Sequence, residues 1–202
     1  TATVEDEVLI PEPFYPNYST FVCAAGGTVR PIPTTPDEGY HYADKTKIEA
    51  LINEKTRAII ITNPSNPTGV TLSDKERRMI LDLAKKHDLY LISDEVYREF
   101  DYNSNELVTM GTYEDGAENV VLIDSVSKRF SACGARIGCV ISKNAALMGQ
   151  LLKFCQARLS VATLDQIAAA ALYDVDKDYF ERVRDTDAAG ILLFISCAKF
   201  QM

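Results

Sequence analysis

Arg57-Ala-Ile-Ile-Ile-Thr62 runs directly into Asn63-Pro-Ser-Asn-Pro-Thr-Gly69. The isoleucine-rich run has no polar alternation, which marks a strand covered on both faces, as inside a parallel sheet. Two Asn-Pro pairs and a glycine then specify a tight turn. Ser73-Asp-Lys-Glu76 follows and reads as a capping box, with the serine capping a helix and Glu76 reaching back. Met79, Ile80, Leu83 and Ala84 recur at helical spacing up to about His87. A histidine at a helix end is favoured by the dipole and reads as a surface residue rather than a catalyst. Leu89 to Ser93 is the next buried strand, and it delivers Asp94-Glu-Val-Tyr97. Val120 to Asp124 is another. This succession predicts an α/β protein with a mostly parallel sheet flanked by helices. In such sheets ligands gather at the C-terminal strand ends.

The flanking segments fit the same plan. Val8 to Ile10 reads as a short strand, Tyr18 to Ala25 as a helix stopped by Gly26-Gly27, and Thr28 to Pro33 as a strand. Asp44 is placed to cap a helix from Lys45 to about Asn53, with Ile48, Leu51 and Ile52 on one face. Ile137 to Ser142 adds a strand of opposite direction. Asn144 to Gln156 and Thr163 to Leu172 read as helices, and Asp176 to Arg184 as the opening of a further one. Between Pro11 and Tyr18 three prolines and three aromatics make a conformationally restricted loop. Its rings either fill core or offer Phe14 or Tyr15 as a stacking surface for a flat ligand.

The strand at Val120 empties into Ser125-Val-Ser-Lys-Arg-Phe-Ser-Ala-Cys-Gly-Ala-Arg-Ile-Gly138. A lysine past a strand end, among small residues, is expected to be partly desolvated, which frees its amine to attack carbonyls. Ser125, Ser127 and Arg136 supply hydroxyls and a guanidinium fork suited to a phosphate. An amine for an aldehyde beside a phosphate site points to pyridoxal phosphate (PLP). Ser-x-Ser-Lys by itself is a weak signal that more often marks a solvated turn, so the cofactor reading leans on the rest of the chain.

Composition sets outer bounds. The 202 residues carry 29 acidic against 21 basic groups, a net charge of −8, with no basic stripe for nucleic acid. Cys23, Cys133, Cys139, Cys155 and Cys197 are odd in number and lack a C-x-x-C pair, which predicts buried or semi-buried free thiols in a reducing cytosol. With His41 and His87 as the only histidines, no histidine-rich metal centre is expected. No stretch reaches the length of a membrane span, and no signal peptide is read at the start.

Three elements stand in order, each at a predicted strand end: NPSNPTG, SDEVY and SVSKRFSACGARIG. Together they resemble the core of the class I aminotransferases, PLP enzymes of fold type I. The resemblance runs from about Val8 to Arg184 and corresponds to about half of a full-length member. It implies a PLP-binding large domain over residues 1–184, incomplete on its N-terminal side, an atypical tail over 185–202, and no small C-terminal domain. It implies that Lys128 forms the Schiff base and carries the proton between the substrate Cα and the cofactor. Asp94 is implied to pair with the pyridine nitrogen. Tyr97 and Asn66 would hydrogen-bond the phenolic oxygen, and Arg136, Ser125 and Ser127 would hold the phosphate. Tyr15 matches the ring-stacking aromatic, and cis peptide bonds are implied before Pro13 and Pro67. Glu95 receives a structural role, because a neighbour on a strand points away from Asp94.

The implied reaction moves an amino group between an amino acid, aspartate first and aromatic residues next, and a 2-oxo acid. The implied assembly is a homodimer. Two parts of the family pattern are missing: the Gly/Ser phosphate turn would lie upstream of Thr1, and the arginine for the substrate carboxylate lies in the small domain. Arg158 falls near a region that contributes substrate recognition in some members. The chain is therefore expected to bind PLP weakly and to turn over slowly or not at all. A carbon–sulfur lyase or decarboxylase on the same residues, or a non-catalytic cofactor-binding fragment, are the competing readings.

Overall fold

The strand over 56–62 lies inside the sheet, as its sequence requires. A computed structural model describes residues 5–102 and 108–199, with side chains through 188. The strands are β1 (Glu7–Pro11), β2 (Thr28–Ile32), β3 (Thr56–Thr62), β4 (Tyr90–Asp94), β5 (Val120–Ser125) and β6 (Gly138–Ile141). They form one sheet in the order β2-β1-β3-β4-β5-β6. β1 to β5 pair in parallel. β6 pairs antiparallel with β5, the direction anticipated for it.

Successive strand residues face opposite ways, and β3 therefore feeds two cores. Ile59 and Ile61 enter the larger one with Leu9, Leu91, Ile80 and Leu81. Ile60 enters the smaller one on the other face with Ile10, Tyr18 and Val22. Each fully buried isoleucine contributes about 1.5–3 kcal/mol relative to leaving it exposed.

The helices are α1 (Asn17–Ala24), α2 (Lys45–Glu49), α3 (Asp74–Lys86), α4 (Val126–Arg129), α5 (Ala145–Arg158), α6 (Thr163–Ala170) and α7 (Lys177–Lys199). α3 opens with the expected capping box: Ser73 accepts from the Glu76 amide, and Glu76 accepts from the Ser73 amide. It ends at His87, whose Nε2 lies 3.1 Å from a Glu49 carboxylate oxygen. α2 is shorter than its sequence predicts. The Asn53 side chain accepts from the Lys55 amide, and the Asn53 amide donates to Thr56 Oγ1. This local turn competes with further helix. α7 passes through the 184/185 boundary without a break. No helix among the described residues is long and apolar enough to cross a membrane.

Candidate active site

The C-terminal ends of β3, β4 and β5 build one cavity of about 280 Å³. Parallel pairing puts Thr62 beside Asp94 and Asp94 beside Ile123, so three separate stretches of sequence open at one level. All eight residues singled out from the sequence line this cavity. Asp94 and Tyr97 come from β4 and the turn after it, and Asn66 from the Asn-Pro turn. Ser125, Ser127, Lys128 and Arg136 come from the segment after β5, and Tyr15 from the loop before α1. The peptide bonds before Pro13 and Pro67 are cis, as the resemblance implied, and so is the bond before Pro64.

Asp94 is the electrostatic centre. Its Oδ2 accepts a 2.6 Å hydrogen bond from the Tyr18 hydroxyl, and its Oδ1 accepts from the Val96 amide at 3.2 Å. The Tyr18 oxygen also lies 2.8 Å from Thr62 Oγ1. Because the Tyr18 proton goes to Asp94, Thr62 is the donor in that second bond. Burial pushes the Asp94 carboxyl above its ordinary value, with Asp124 and Glu95 adding to the rise, while the Tyr18 and Val96 donors pull it down. Burial beside Asp94 also pushes the Tyr18 phenol well above its ordinary range. Tyr18 and Thr62 were not foreseen as site residues. The signal available was the spacing of Tyr15 and Tyr18, three positions apart, with Tyr15 in the loop before α1 and Tyr18 in its first turn.

Glu95 has the structural role expected of it. Buried on the other side of the strand, it accepts from Ser93 Oγ at 3.1 Å and from the Met110 amide at 2.9 Å.

Across the cavity, Asn66 Nδ2 donates to the Tyr97 hydroxyl at 3.3 Å, which leaves the phenolic proton free to donate in turn. Lys128 Nζ lies 5.8 Å from the centre of the Tyr97 ring, within cation–π range. The partial desolvation expected for this lysine is not found. α4 is a single turn at the rim of the cavity, and Lys128 is exposed there.

At the far end Ser125 caps α4, its Oγ accepting from the Ser127 amide at 3.3 Å. Gly138 lets β6 come close at this point, since a Cβ there would sit 3.0 Å from the Asp124 carbonyl oxygen. Arg136 adopts a left-handed φ of 54°, an uncommon conformation for a residue with a side chain. Its Nη1 donates to the Cys133 carbonyl at 2.9 Å, and Cys133 also lines the cavity. Ser125, Ser127 and Arg136 border a second, mainly apolar groove of about 590 Å³ along β6 and α5. Tyr15 is partly exposed, with its ring edge-on to Tyr18 at 5.7 Å. The cavity thus offers a partly buried acid, an amine, a pair of hydrogen-bonding groups, a flat ring and a guanidinium with hydroxyls at one end.

The profile of the family described as aminotransferase class I and II matches residues 1–187. An aspartate aminotransferase of Pyrococcus abyssi is 34% identical over 171 residues, covering 84% of this chain and 43% of that protein. The solved aromatic aminotransferase of Pyrococcus horikoshii OT3 superposes with a TM-score of 0.83 at 30% identity, covering 90% of this chain and 49% of that one. A solved structure from Clostridium difficile 630 with PLP bound shares the fold with a TM-score of 0.87 at 21% identity, over 97% of this chain and 51% of that one. The chain spans about half the length of these relatives. With a family profile matched over nearly its whole length, three strand-end motifs in family order and this sheet, the chain belongs to the class I and II aminotransferases.

Proposed function

We propose that this chain carries the cofactor site and catalytic residues of a PLP-dependent transaminase, with residues 1–184 as the PLP-binding large domain and 185–202 outside it. The observation that carries the reading is the convergence of Asp94, Lys128, Asn66, Tyr97, Ser125, Ser127, Arg136 and Tyr15 on one cavity. Their donor set fits the cofactor group by group. A partly buried carboxylate suits a cationic ring nitrogen, hydroxyls with a guanidinium suit a phosphate, and paired donors suit an ionised phenolic oxygen. The volume, near the lower end of small-molecule sites, suits one small aromatic.

PLP, when bound, supplies an aldehyde for amines and a ring that accepts an electron pair. The chain supplies position and protons. Asp94 would hold the proton on the ring nitrogen, and Tyr18, which donates to Asp94, fixes that carboxylate. Tyr97 and Asn66 would steady the negative charge on the phenolic oxygen. Ser125, Ser127 and Arg136 would anchor the phosphate, and Tyr15 would supply the ring that stacks on the cofactor. Lys128 would serve as the general base that takes the proton from the substrate Cα and hands it to the carbon that had carried the cofactor's aldehyde, its proton kept local.

Aspartate is the first substrate proposed and aromatic amino acids the second, with a 2-oxo acid as acceptor. The aspartate and aromatic aminotransferases among the relatives support this order. Among the described residues, the cations lining the cavity are Lys128 and Arg136. With both engaged by the cofactor, the substrate carboxylate has no guanidinium there, and the chain is expected to work slowly with a high KM. We also propose a homodimer in the cytoplasm. Exposed Val140, Ile141, Leu152, Phe154, Leu164 and Ile167 give β6, α5 and α6 an apolar surface that association would cover. The free thiols of Cys23, Cys133, Cys139 and Cys155 are exposed rather than buried as their spacing suggested, and exposed free thiols suit a reducing compartment.

The test is a product assay. PLP-loaded chain given aspartate and 2-oxoglutarate is expected to form glutamate and oxaloacetate slowly. Pyruvate and ammonia from a cysteine conjugate, without amino transfer, would replace this reading with a lyase.

A further inference from the structure

Lys128 and Arg129 are adjacent on the single turn of α4, yet their side chains serve different surroundings. Lys128 lines the cavity, while Arg129 is mostly buried among acids and rings. The Arg129 guanidinium forks across two elements. Its Nη1 donates to Asp124 Oδ2 at 3.0 Å, at the end of β5. Its Nη2 donates to Glu99 Oε1 at 2.8 Å, in the turn just after Tyr97. Its Cζ lies 5.4 Å from the Phe130 ring centre and 5.8 Å from that of Phe180, within cation–π range of both. Arg98 reaches the same two acids at longer range, 3.5 Å from Asp124 and 3.6 Å from Glu99. From α7, Arg184 Nη1 donates to the Glu99 carbonyl at 3.2 Å.

Asp124 therefore lies at the end of β5, which leads into the α4 turn carrying Lys128, and Glu99 lies in the turn that follows Tyr97. An ammonium on a flexible stem is the natural competitor for such acids. A guanidinium is always charged, is planar and binds two carboxylates at once. We propose that Arg129 is a positioning residue that occupies Asp124 and Glu99, so that the Lys128 amine is left to the cavity. The inference deepens the reading of Lys128 as the cofactor lysine and rests on it. Its test needs no cofactor.

The test is competitive acetylation of the cofactor-free chain across pH 6 to 10, with Lys128 read against exposed Lys153 by peptide mass spectrometry. The charged and titratable groups on the elements around Lys128 are Asp124 on β5, Arg98, Glu99 and Tyr97 in the turn after β4, Arg184 on α7, and Asp94 and Arg136 at the cavity. Arg129→Met leaves one acid in surplus, and an opposite charge nearby shifts an amine by about one pH unit or more. Lys128 labelling near pH 8 is therefore expected to fall about tenfold. The double variant Arg129→Met/Glu99→Gln removes the surplus acid and is expected to restore labelling. Arg129→Lys keeps the charge but reaches one acid, and is expected to fall between; it carries the test if Arg129→Met does not fold by circular dichroism. Unchanged labelling in the single variants overturns the proposal. So does a loss that the double variant fails to restore, which would mark Arg129 as purely structural. Labelling as expected in a chain that takes up no PLP would overturn the cofactor reading and leave the role of Arg129 standing.

Discussion

Lys128→Ala is expected to remove almost all chemistry at the substrate Cα while leaving a folded protein. The side chain is exposed and has no part in either hydrophobic core, so alanine costs the fold little. On the proposed reading the reaction loses its general base and its amine together. Base removal alone is worth about 100- to 10,000-fold, and the upper end is expected here because no other amine lines the cavity among the described residues. The measurement is hydrogen–deuterium exchange at the aspartate Cα, followed by NMR in D2O with PLP present. This readout tolerates the slow turnover foreseen for the chain. Partial recovery with added methylamine would show that the missing group is an amine. Exchange at more than a tenth of the parental rate would remove Lys128 from the catalytic role.

Asp94→Asn is expected to have two effects of opposite sign. Chemistry drops, because a neutral amide cannot hold the proton on a ring nitrogen. Removing one preorganised group that faces developing charge costs about 100- to 1,000-fold. Stability of the cofactor-free chain rises, because burial has lifted this carboxyl above its ordinary value and the ionised form is held against that cost. A raised carboxyl binds its proton more tightly in the folded state than in the unfolded one. Its contribution to stability is full below the unfolded pKa and is lost as pH climbs through the folded value. At pH 7 asparagine avoids that loss and still accepts hydrogen bonds from Tyr18 or Val96. A gain of about 1 kcal/mol, or about 2–4 °C in Tm for a domain of this size, is expected at pH 7 and not at pH 3. Thermal melts of both proteins at the two pH values check this. A destabilised Asp94→Asn at pH 7 would mean that the carboxylate charge supports the fold rather than the cofactor.

The strands, the capping box and the eight site residues were legible because each belongs to a short, local pattern. An unbroken Ile run, an Asn-Pro turn or an acid at a strand end carries its meaning within a few residues. Parallel pairing then brings such strand ends together automatically. What escaped notice depends on distant partners. Tyr18 and Asp94 are 76 positions apart and meet only because α1 packs over the end of β4. The hold of Arg129 on Glu99 spans 30 positions. The early end of α2 followed from the hydrogen bonds of one asparagine, which helical spacing does not register. The exposure of Lys128 escaped for another reason. Desolvation is a property of everything around an amine, and small neighbours in sequence do not by themselves provide it.

The central claim is that Lys128 is the amine that takes the cofactor. Its most direct test is to incubate the chain with PLP, reduce with borohydride, digest and map the added mass. The prediction is a visible absorption band before reduction and a phosphopyridoxyl group on Lys128, reduced or lost when excess inorganic phosphate competes at Ser125, Ser127 and Arg136. A folded chain with no adduct on Lys128, or with label spread evenly over exposed lysines such as Lys143 and Lys153, would contradict it.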